Sequence, residues 1–357
     1  MRIAQLAPLY ESVPPRLYGG TERVVYYLTE ELVRQGHDVT LYASGDSRTS
    51  ARLRYIGDSA LRLRGCSQSE ALAQHLLMTE WLAQDADEFD IVHCHLDGLP
   101  FSLIRAHSLP AVTTLHGRLD LPETHSLFRE FDDMCLISIS NAQRAPVPWA
   151  SWFATVYHGL PENLYALHEQ PGQYLAFLGR ISPEKRVDRA IEIARRVGMP
   201  LRIAAKVDAA DRDYFEQHIE PLLDDPLVEF IGEISEPAKA AFLGNAWALL
   251  FPIDWPEPFG LVIIEAMACG TPVIAFPCGS VPEILEDEVT GYIVKSVEEA
   301  ADAVRRIPLI DRKNCRAVFE ERFSVRRMCE GYLDAYERVL EQRRQAAGKR
   351  RGLSLAS

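Results

Sequence analysis

Short apolar strands alternate with amphipathic helices along this chain, and the alternation runs through it twice. Strands are expected at 3–7, 39–43, 91–95, 111–115 and 135–139, with helices between them. In the expected helix at 21–35, Val24, Val25, Leu28 and Leu32 recur at the spacing of one helical face, and Gly36 stops it. The pattern weakens over 142–173, where 156–157 is a last candidate strand, and then resumes. Strands are expected at 174–178, 201–205, 228–231, 248–252 and 273–276, again with helices between. Alternation of this kind specifies parallel sheets with right-handed crossovers and helices on both faces. The fold class expected is therefore α/β, with two doubly wound Rossmann-like domains facing a cleft. Residues 1–165 form the first domain and 166–323 the second. A helix over 324–345, capped by Ser324, follows, and then a basic tail, 346–357, carrying Lys349, Arg350 and Arg351 without fixed structure. In such sheets ligands bind beyond the carboxyl ends of the strands.

The densest chemistry lies at 255–275, reading WPEPFGLVIIEAMACGTPVIA. Pro258 suits a first helical position, because its missing N–H would have no partner there. The helix then opens with the N–H groups of Phe259, Gly260 and Leu261 directed at a ligand, an arrangement that attracts anions. Gly260 lets that ligand approach the backbone. Glu265 stands eight residues after Glu257, roughly 10 Å along the helix at ~1.5 Å per residue. Two carboxylates so spaced could grip two hydroxylated parts of one elongated anionic ligand, the shape of a nucleotide-diphosphate sugar. For a lone pair, solvated surface carboxylates are the commoner outcome. Glu265, however, interrupts an apolar run, 261–267, which argues that it faces something other than bulk water.

Other loops offer weaker signals. Gly19 and Gly20 follow the first strand, but neither a G-x-G-x-x-G nor a G-x-x-x-x-G-K-[ST] pattern is present. Arg180 and Lys185 lie at a strand end before a helix start. Two cations there oppose the helix dipole unless an anion joins them, so either a diphosphate or a salt-bridged turn accounts for them. His116 and Arg118 follow the strand at 111–115, where a histidine could bind a hydroxyl or share a proton. His93 and His95 share one strand face. A satisfied polar pair suits them better than a metal site, since no third ligand is near in sequence. The D-x-D triplets at 85–87 and 211–213 read as solvated faces, so no metal site is expected.

Composition narrows the classes. The 357 residues are 47% hydrophobic, with a net charge of −13, which argues against nucleic-acid binding. The seven cysteines are scattered, as in a reducing compartment. Met1 and Arg2 lead straight into a strand, and no apolar run is long enough to span a bilayer. A cytoplasmic chain without a signal peptide or transmembrane segment is expected, peripheral membrane contact staying open through a local basic patch.

Gly19-Gly20 after strand one, Gly179-Arg180 with Lys185, Glu257 and Glu265 in E-x7-E spacing, Gly270-Thr271-Pro272-Val273, and GSVPEI at 279–284 occur in one order. Together they resemble the retaining glycosyltransferases of family 4, across nearly the whole chain and most specifically in its second half. The resemblance implies a GT-B fold whose last helix crosses back to the first domain. It implies that Glu257 contacts donor-sugar hydroxyls, that the backbone of Phe259, Gly260 and Leu261 holds sugar and phosphate, and that Glu265 binds the ribose. Arg180 and Lys185 would neutralise the diphosphate, with Gly19 and Gly20 closing on it and Ile231 beside the base. His116 would lie near the donor sugar and acceptor. Tyr10, Tyr18, His95 and Arg118 are candidates for the acceptor side. Pro258 and Arg186 stand where many members have Gly, which bears on loop shape and donor choice.

The function expected is metal-independent, cofactor-free transfer of a hexose, with retention, from a nucleotide sugar to a hydroxyl acceptor. UDP-glucose is the donor expected, although no residue pattern encodes the base. A small molecule, a glycan or a lipid-linked sugar would serve as acceptor. The alternatives are a GT-B-shaped sugar-nucleotide epimerase or phosphorylase, or a non-catalytic sugar-nucleotide-binding protein. The sequence does not settle oligomeric state.

Overall fold

The computed structural model describes residues 1–17 and 19–354, with 347–354 as backbone alone. The chain divides into two compact units. The first holds Met1–Ile139, Arg144–Tyr157 and the helix from Val325, and the second holds Ser140–Gln143 and His158–Ser324. Residues 158–165 thus belong with the second unit.

The first unit is built on seven parallel strands: β1 (Arg2–Leu6), β2 (Asp38–Ala43), β3 (Arg52–Tyr55), β4 (Ile91–Cys94), β5 (Ala111–Thr114), β6 (Leu136–Ser138) and β7 (Trp152–Thr155). Their order is β3-β2-β1-β4-β5-β6-β7, and Ile3 of β1 pairs with Val39 on one side and Ile91 on the other. Strands β4 and β5 are buried throughout, as expected of a parallel sheet covered on both faces. Leu6, Tyr42, Met78, Leu82, Phe101 and Phe128 form the larger core cluster. The helix Gly20–Arg34 begins one residue before the expected 21, with Gly19 as its N-cap. The final helix packs on it and on β5. That helix runs Val325–Ser354, beyond residue 345 and through most of the segment expected to lack structure. Ala346, Ala347, Lys349, Arg350, Arg351 and Leu353 are good helix formers, with Gly348 and Gly352 the weak positions. Residues 355–357 lie outside the described residues.

The second unit has six parallel strands: β8 (Leu175–Ile181), β9 (Leu201–Val207), β10 (Val228–Gly232), β11 (Ala248–Phe251), β12 (Val273–Ala275) and β13 (Gly291–Ile293), in the order β10-β9-β8-β11-β12-β13. In both sheets the order reverses beside the first strand, between β1 and β4 and between β8 and β11. Those are the topological switch points where doubly wound sheets bind ligands. The helix Val187–Val197 buries Val187, Ala190, Ile191 and Ala194, and Gly198 ends it with φ 68°. Arg312, almost wholly buried, donates to the carbonyls of His168, Ala246 and Gly244 and to Thr271 Oγ1, at 2.5, 3.1, 2.8 and 2.6 Å. Its guanidinium is thereby satisfied while it pins the segment at His168 to the chain just before β11 and β12. The segment between β9 and β10 is a series of short helical turns, Arg212–Tyr214, a π-helical one at Phe215–Ile219, and Glu220–Leu222. Pro221 interrupts regular helix there.

Candidate active site

The switch point of the second sheet collects the charged residues singled out by sequence. Arg180 stands near the end of β8, and the turn Pro183–Lys185 follows. From β11 the chain enters 252–260, and Asp254 N–H donates to Glu184 C=O at 2.9 Å, tying the two loops together. Lys185 Nζ meets Glu257 Oε2, and Trp255 Nε1 donates to the same oxygen at 2.9 Å. Lys185 also stands 5.0 Å from the centre of the Trp255 ring, a second hold on its charge. Glu257 is thus fixed by a cation and an indole, with most of its surface out of water.

Arg180 lies among carboxylates: Glu184 at 2.6 Å, Asp211 at 3.5 Å and Asp208 at 3.8 Å. Both cations are therefore ion-paired, the salt-bridged alternative left open by the sequence. Asp211 is not on a solvated face as its D-x-D triplet suggested. It turns toward Arg180, and burial pushes its carboxyl above the usual range. Asp85 likewise accepts the Tyr42 hydroxyl at 2.7 Å.

The helix after Glu257 begins at Leu261, not at Pro258, and runs to Ala268. Gly260 precedes it with φ 84°, a left-handed conformation that disfavours any side chain. The amides opening the helix are thus those of Leu261 and Val262, and Ile263 N–H returns to Gly260 C=O at 2.9 Å. Phe259 faces inward, its ring 4.8 Å from that of His158. The loop is held from behind. Ser140 Oγ donates to Pro258 C=O at 2.6 Å, Ser280 Oγ to Phe259 C=O at 2.8 Å, and Ser280 N–H to Glu257 C=O at 2.9 Å. A Cβ on Gly279 would lie 2.3 Å from the backbone N and O of Glu257. The GSVPEI segment therefore acts as the mould of the Glu257 loop, a role that spacing alone did not reveal.

Glu265 is buried, as its place in an apolar run suggested. Its partner, missed by sequence reasoning, is Lys239 Nζ at 2.7 Å, which also reaches Glu236 at 3.2 Å. Glu236 in turn accepts the Tyr165 hydroxyl. Ile231 lies half-exposed at the end of edge strand β10, two strands from β8.

The first sheet's switch point is built around imidazoles, hydroxyls and one amide. Gly19 sits against Pro15, whose Cβ would be 2.7 Å from a Cβ at position 19, and Gly20 opens the following helix. Tyr10 is exposed, its ring centre 5.2 Å from that of His75. Tyr18 lies outside the described residues. Arg118 makes two 2.6 Å hydrogen bonds to Asp120. His95 and His116 meet directly, Nδ1 to Nε2 at 2.8 Å, and His95 Nε2 contacts Gln5 Oε1 at 2.9 Å. Gln5 Nε2 donates to the Tyr336 hydroxyl at 3.1 Å, and that hydroxyl lies 2.6 Å from His93 Nδ1. His93 Nε2 continues to Thr114 Oγ1 at 2.7 Å, which donates to the Tyr332 hydroxyl at 3.2 Å. The pair His93 and His95 is thus a satisfied polar pair, with ring centres 4.0 Å apart. Burial lowers the His116 imidazole to about 3 and holds His93 well below the ordinary histidine value. Both are neutral near pH 7.

Among the described residues, no group of three or more His, Cys, Asp or Glu side chains is placed to hold a metal ion, and no helix is long and apolar enough to cross a membrane. The family model described as Glycosyltransferase Family 4 matches residues 18–181, and that described as Glycosyl transferases group 1 matches residues 166–321. The chain is similar to the uncharacterized glycosyltransferase MJ1607 of Methanocaldococcus jannaschii, at 26% identity over 86% of this chain and 89% of that one. In structure it is similar to AviGT4, a glycosyltransferase involved in avilamycin A biosynthesis (TM-score 0.72, 24% identity, 95% and 98% of the two chains). It is also similar to Anabaena Alr3699/HepE in complex with UDP and glucose (TM-score 0.72, 18% identity, 94% and 99%).

Proposed function

The chain belongs to the family 4 glycosyltransferases and has their GT-B fold, and we propose that it transfers a hexose from a nucleoside-diphosphate sugar to a hydroxyl acceptor with retention and without a metal. The observation that carries this reading is the union of Arg180, Lys185, Glu257 and a helix start at one sheet switch point. Breaking the anomeric C–O bond leaves charge on the diphosphate oxygens. Arg180, Lys185 and the amides of Leu261 and Val262 are suited to stabilise that charge. To do so, the two cations exchange carboxylate partners for phosphate, and the carboxylates already present orient them meanwhile. Glu257, released by Lys185 and still held by Trp255, takes the sugar hydroxyls. Glu265, held by Lys239, takes the ribose. Neither carboxylate is assigned as a nucleophile. The acceptor attacks from the face the phosphate leaves, and the departing phosphate takes its proton. His116 is assigned to the acceptor hydroxyl, with Tyr10 and Arg118 on the acceptor side.

UDP-glucose is the donor proposed, supported by the structural likeness to a protein crystallised with UDP and glucose. A thermal-shift panel of UDP-, GDP- and ADP-sugars tests it, since a ligand of the native state at ~100 times its Kd stabilises by about 2.7 kcal/mol. UDP-glucose should raise the melting temperature most and release UDP slowly in the absence of acceptor. A larger shift with GDP- or ADP-sugars would replace the donor. Binding without turnover across an acceptor panel would instead mark a binding protein.

A further inference from the structure

The hydrogen-bonded chain of the first unit joins residues far apart in sequence: His116, His95 and Gln5 on one branch, and Gln5, Tyr336, His93, Thr114 and Tyr332 on the other. Gln5, His93, Thr114, Tyr332 and Tyr336 are fully buried, so solvent cannot substitute for a lost partner. A neutral imidazole donates at one nitrogen and accepts at the other, and a hydroxyl can do either. Every member except Gln5 can therefore reverse direction without moving a heavy atom. The amide of Gln5 cannot, because its oxygen only accepts and its nitrogen only donates. It is the one point of fixed polarity, and both branches start from it.

The consequences can be followed atom by atom. Gln5 Oε1 accepts, so His95 carries its proton on Nε2 and accepts at Nδ1. The partner of that Nδ1 is His116 Nε2, which must then donate. His116 is left with its lone pair on Nδ1. On the other branch Gln5 donates to the Tyr336 hydroxyl, which therefore donates to His93 Nδ1. His93 donates through Nε2 to Thr114, and Thr114 to Tyr332. All six contacts are satisfied by this single assignment.

We propose that Gln5 is a positioning residue that fixes His116 as the Nε2–H tautomer, so that His116 Nδ1 accepts a hydrogen bond from the acceptor substrate's attacking hydroxyl and orients it, while the departing phosphate takes the proton. This rests on the assignment of His116 to that hydroxyl. Gln5 never touches substrate. It acts through His95, and Tyr336 orients its amide from the last helix. The long return of the chain into the first unit thereby reaches the site through a side chain as well as through packing.

The test is nitrogen NMR of the full-length protein labelled with 15N-histidine, which distinguishes the two tautomers directly, together with steady-state kinetics. In the unmodified protein His95 and His116 should both be Nε2–H. A His116 protonated at Nδ1 overturns the proposal without any variant. Gln5→Glu accepts on both sides. It should keep His116 as Nε2–H but turn the Tyr336 hydroxyl toward residue 5 and so reverse His93 to Nδ1–H. Gln5→Leu removes the polarity. His116 should become a mixture of tautomers, and kcat should fall about tenfold or more with the donor KM unchanged, because the Nδ1–H form cannot accept the hydrogen bond that orients the attacking hydroxyl. Persistence of a single Nε2–H form in Gln5→Leu, or its loss in Gln5→Glu, overturns the role of Gln5. His116→Ala with undiminished kcat would instead overturn the assignment of His116, whatever its tautomer.

Discussion

The two switch points share one strand order and differ in how they hold charge. In the second unit, ion pairs dominate: Lys185 with Glu257, Arg180 with Glu184, and Lys239 with Glu265. In the first, the interior of the site is a neutral chain of imidazoles, hydroxyls and one amide. The same backbone solution thus supports two kinds of chemistry. One set of side chains is ready to exchange a carboxylate for a phosphate. The other defines where a proton sits. The difference teaches that the sheet supplies the place, and that the residues on and after the strands beside its switch point supply the function.

The comparison predicts its largest effect at Lys185. Removing it takes one stabilising cation from the leaving diphosphate and leaves Glu257 with only the Trp255 indole. Lys185→Ala should lower kcat by ~10²-fold or more, as for loss of one preorganised donor. Turnover within a few-fold of wild type, measured with saturating donor, would end the claim that the second switch point works through charge.

Gly279→Ala should come next. At φ 59° a side chain is strained, and its Cβ would overlap the backbone of Glu257. The loop at 255–260 must shift, and we expect a stability loss of about 2 kcal/mol or more with a raised donor KM. Denaturant melts and donor titration report the two consequences separately. An unchanged KM would show that the mould is unnecessary for donor binding.

The neutral site makes a prediction of opposite character. His116 has a folded value near 3 against 6.5 in the unfolded chain, so the unfolded state binds a proton that the folded state refuses. The stability tied to its neutral form is complete above about pH 6.5 and declines as pH falls toward 3. Replacing His116 with Asn should therefore flatten the fall in melting temperature between pH 7 and 5. Identical slopes for both proteins would show that His116 stays neutral for no energetic reason.

Much of this was legible in sequence because it is local. The βαβ alternation, the apolar setting of Glu265 and the turn carrying Arg180 and Lys185 all depend on near neighbours. Strand β3 escaped because Arg52 and Arg54 break its apolar pattern at an exposed sheet edge. The start of the helix at Leu261 escaped because Gly260 adopts a left-handed turn after Pro258. What could not be read were pairings between distant segments. Lys239 and Glu265 meet across two helices, and Gln5 meets Tyr336 across 331 positions. Gln5 in particular looks like any polar residue in a strand until its two amide ends are seen to face different histidine branches.

The smallest effect is expected at Arg186, and it tests whether the charged site tolerates strain. Arg186 has φ 53°, a conformation costing an ordinary residue roughly 1–2 kcal/mol. Two contacts offset that cost. Its guanidinium reaches Asp188 at 2.8 and 3.0 Å and Asp254 at 2.8 Å. Asp254 is half-exposed, so each pair contributes only about 0–1 kcal/mol. Arg186→Gly removes strain and pairs together, and its melting temperature should stay within a few degrees of wild type. Arg186→Ala loses the pairs but keeps the strain, so it should be the less stable of the two by about 1 kcal/mol, the reverse of their order in a helix. An alanine variant as stable as the glycine variant would show that the backbone relaxes here, and that the left-handed turn is not what aims Lys185 at Glu257.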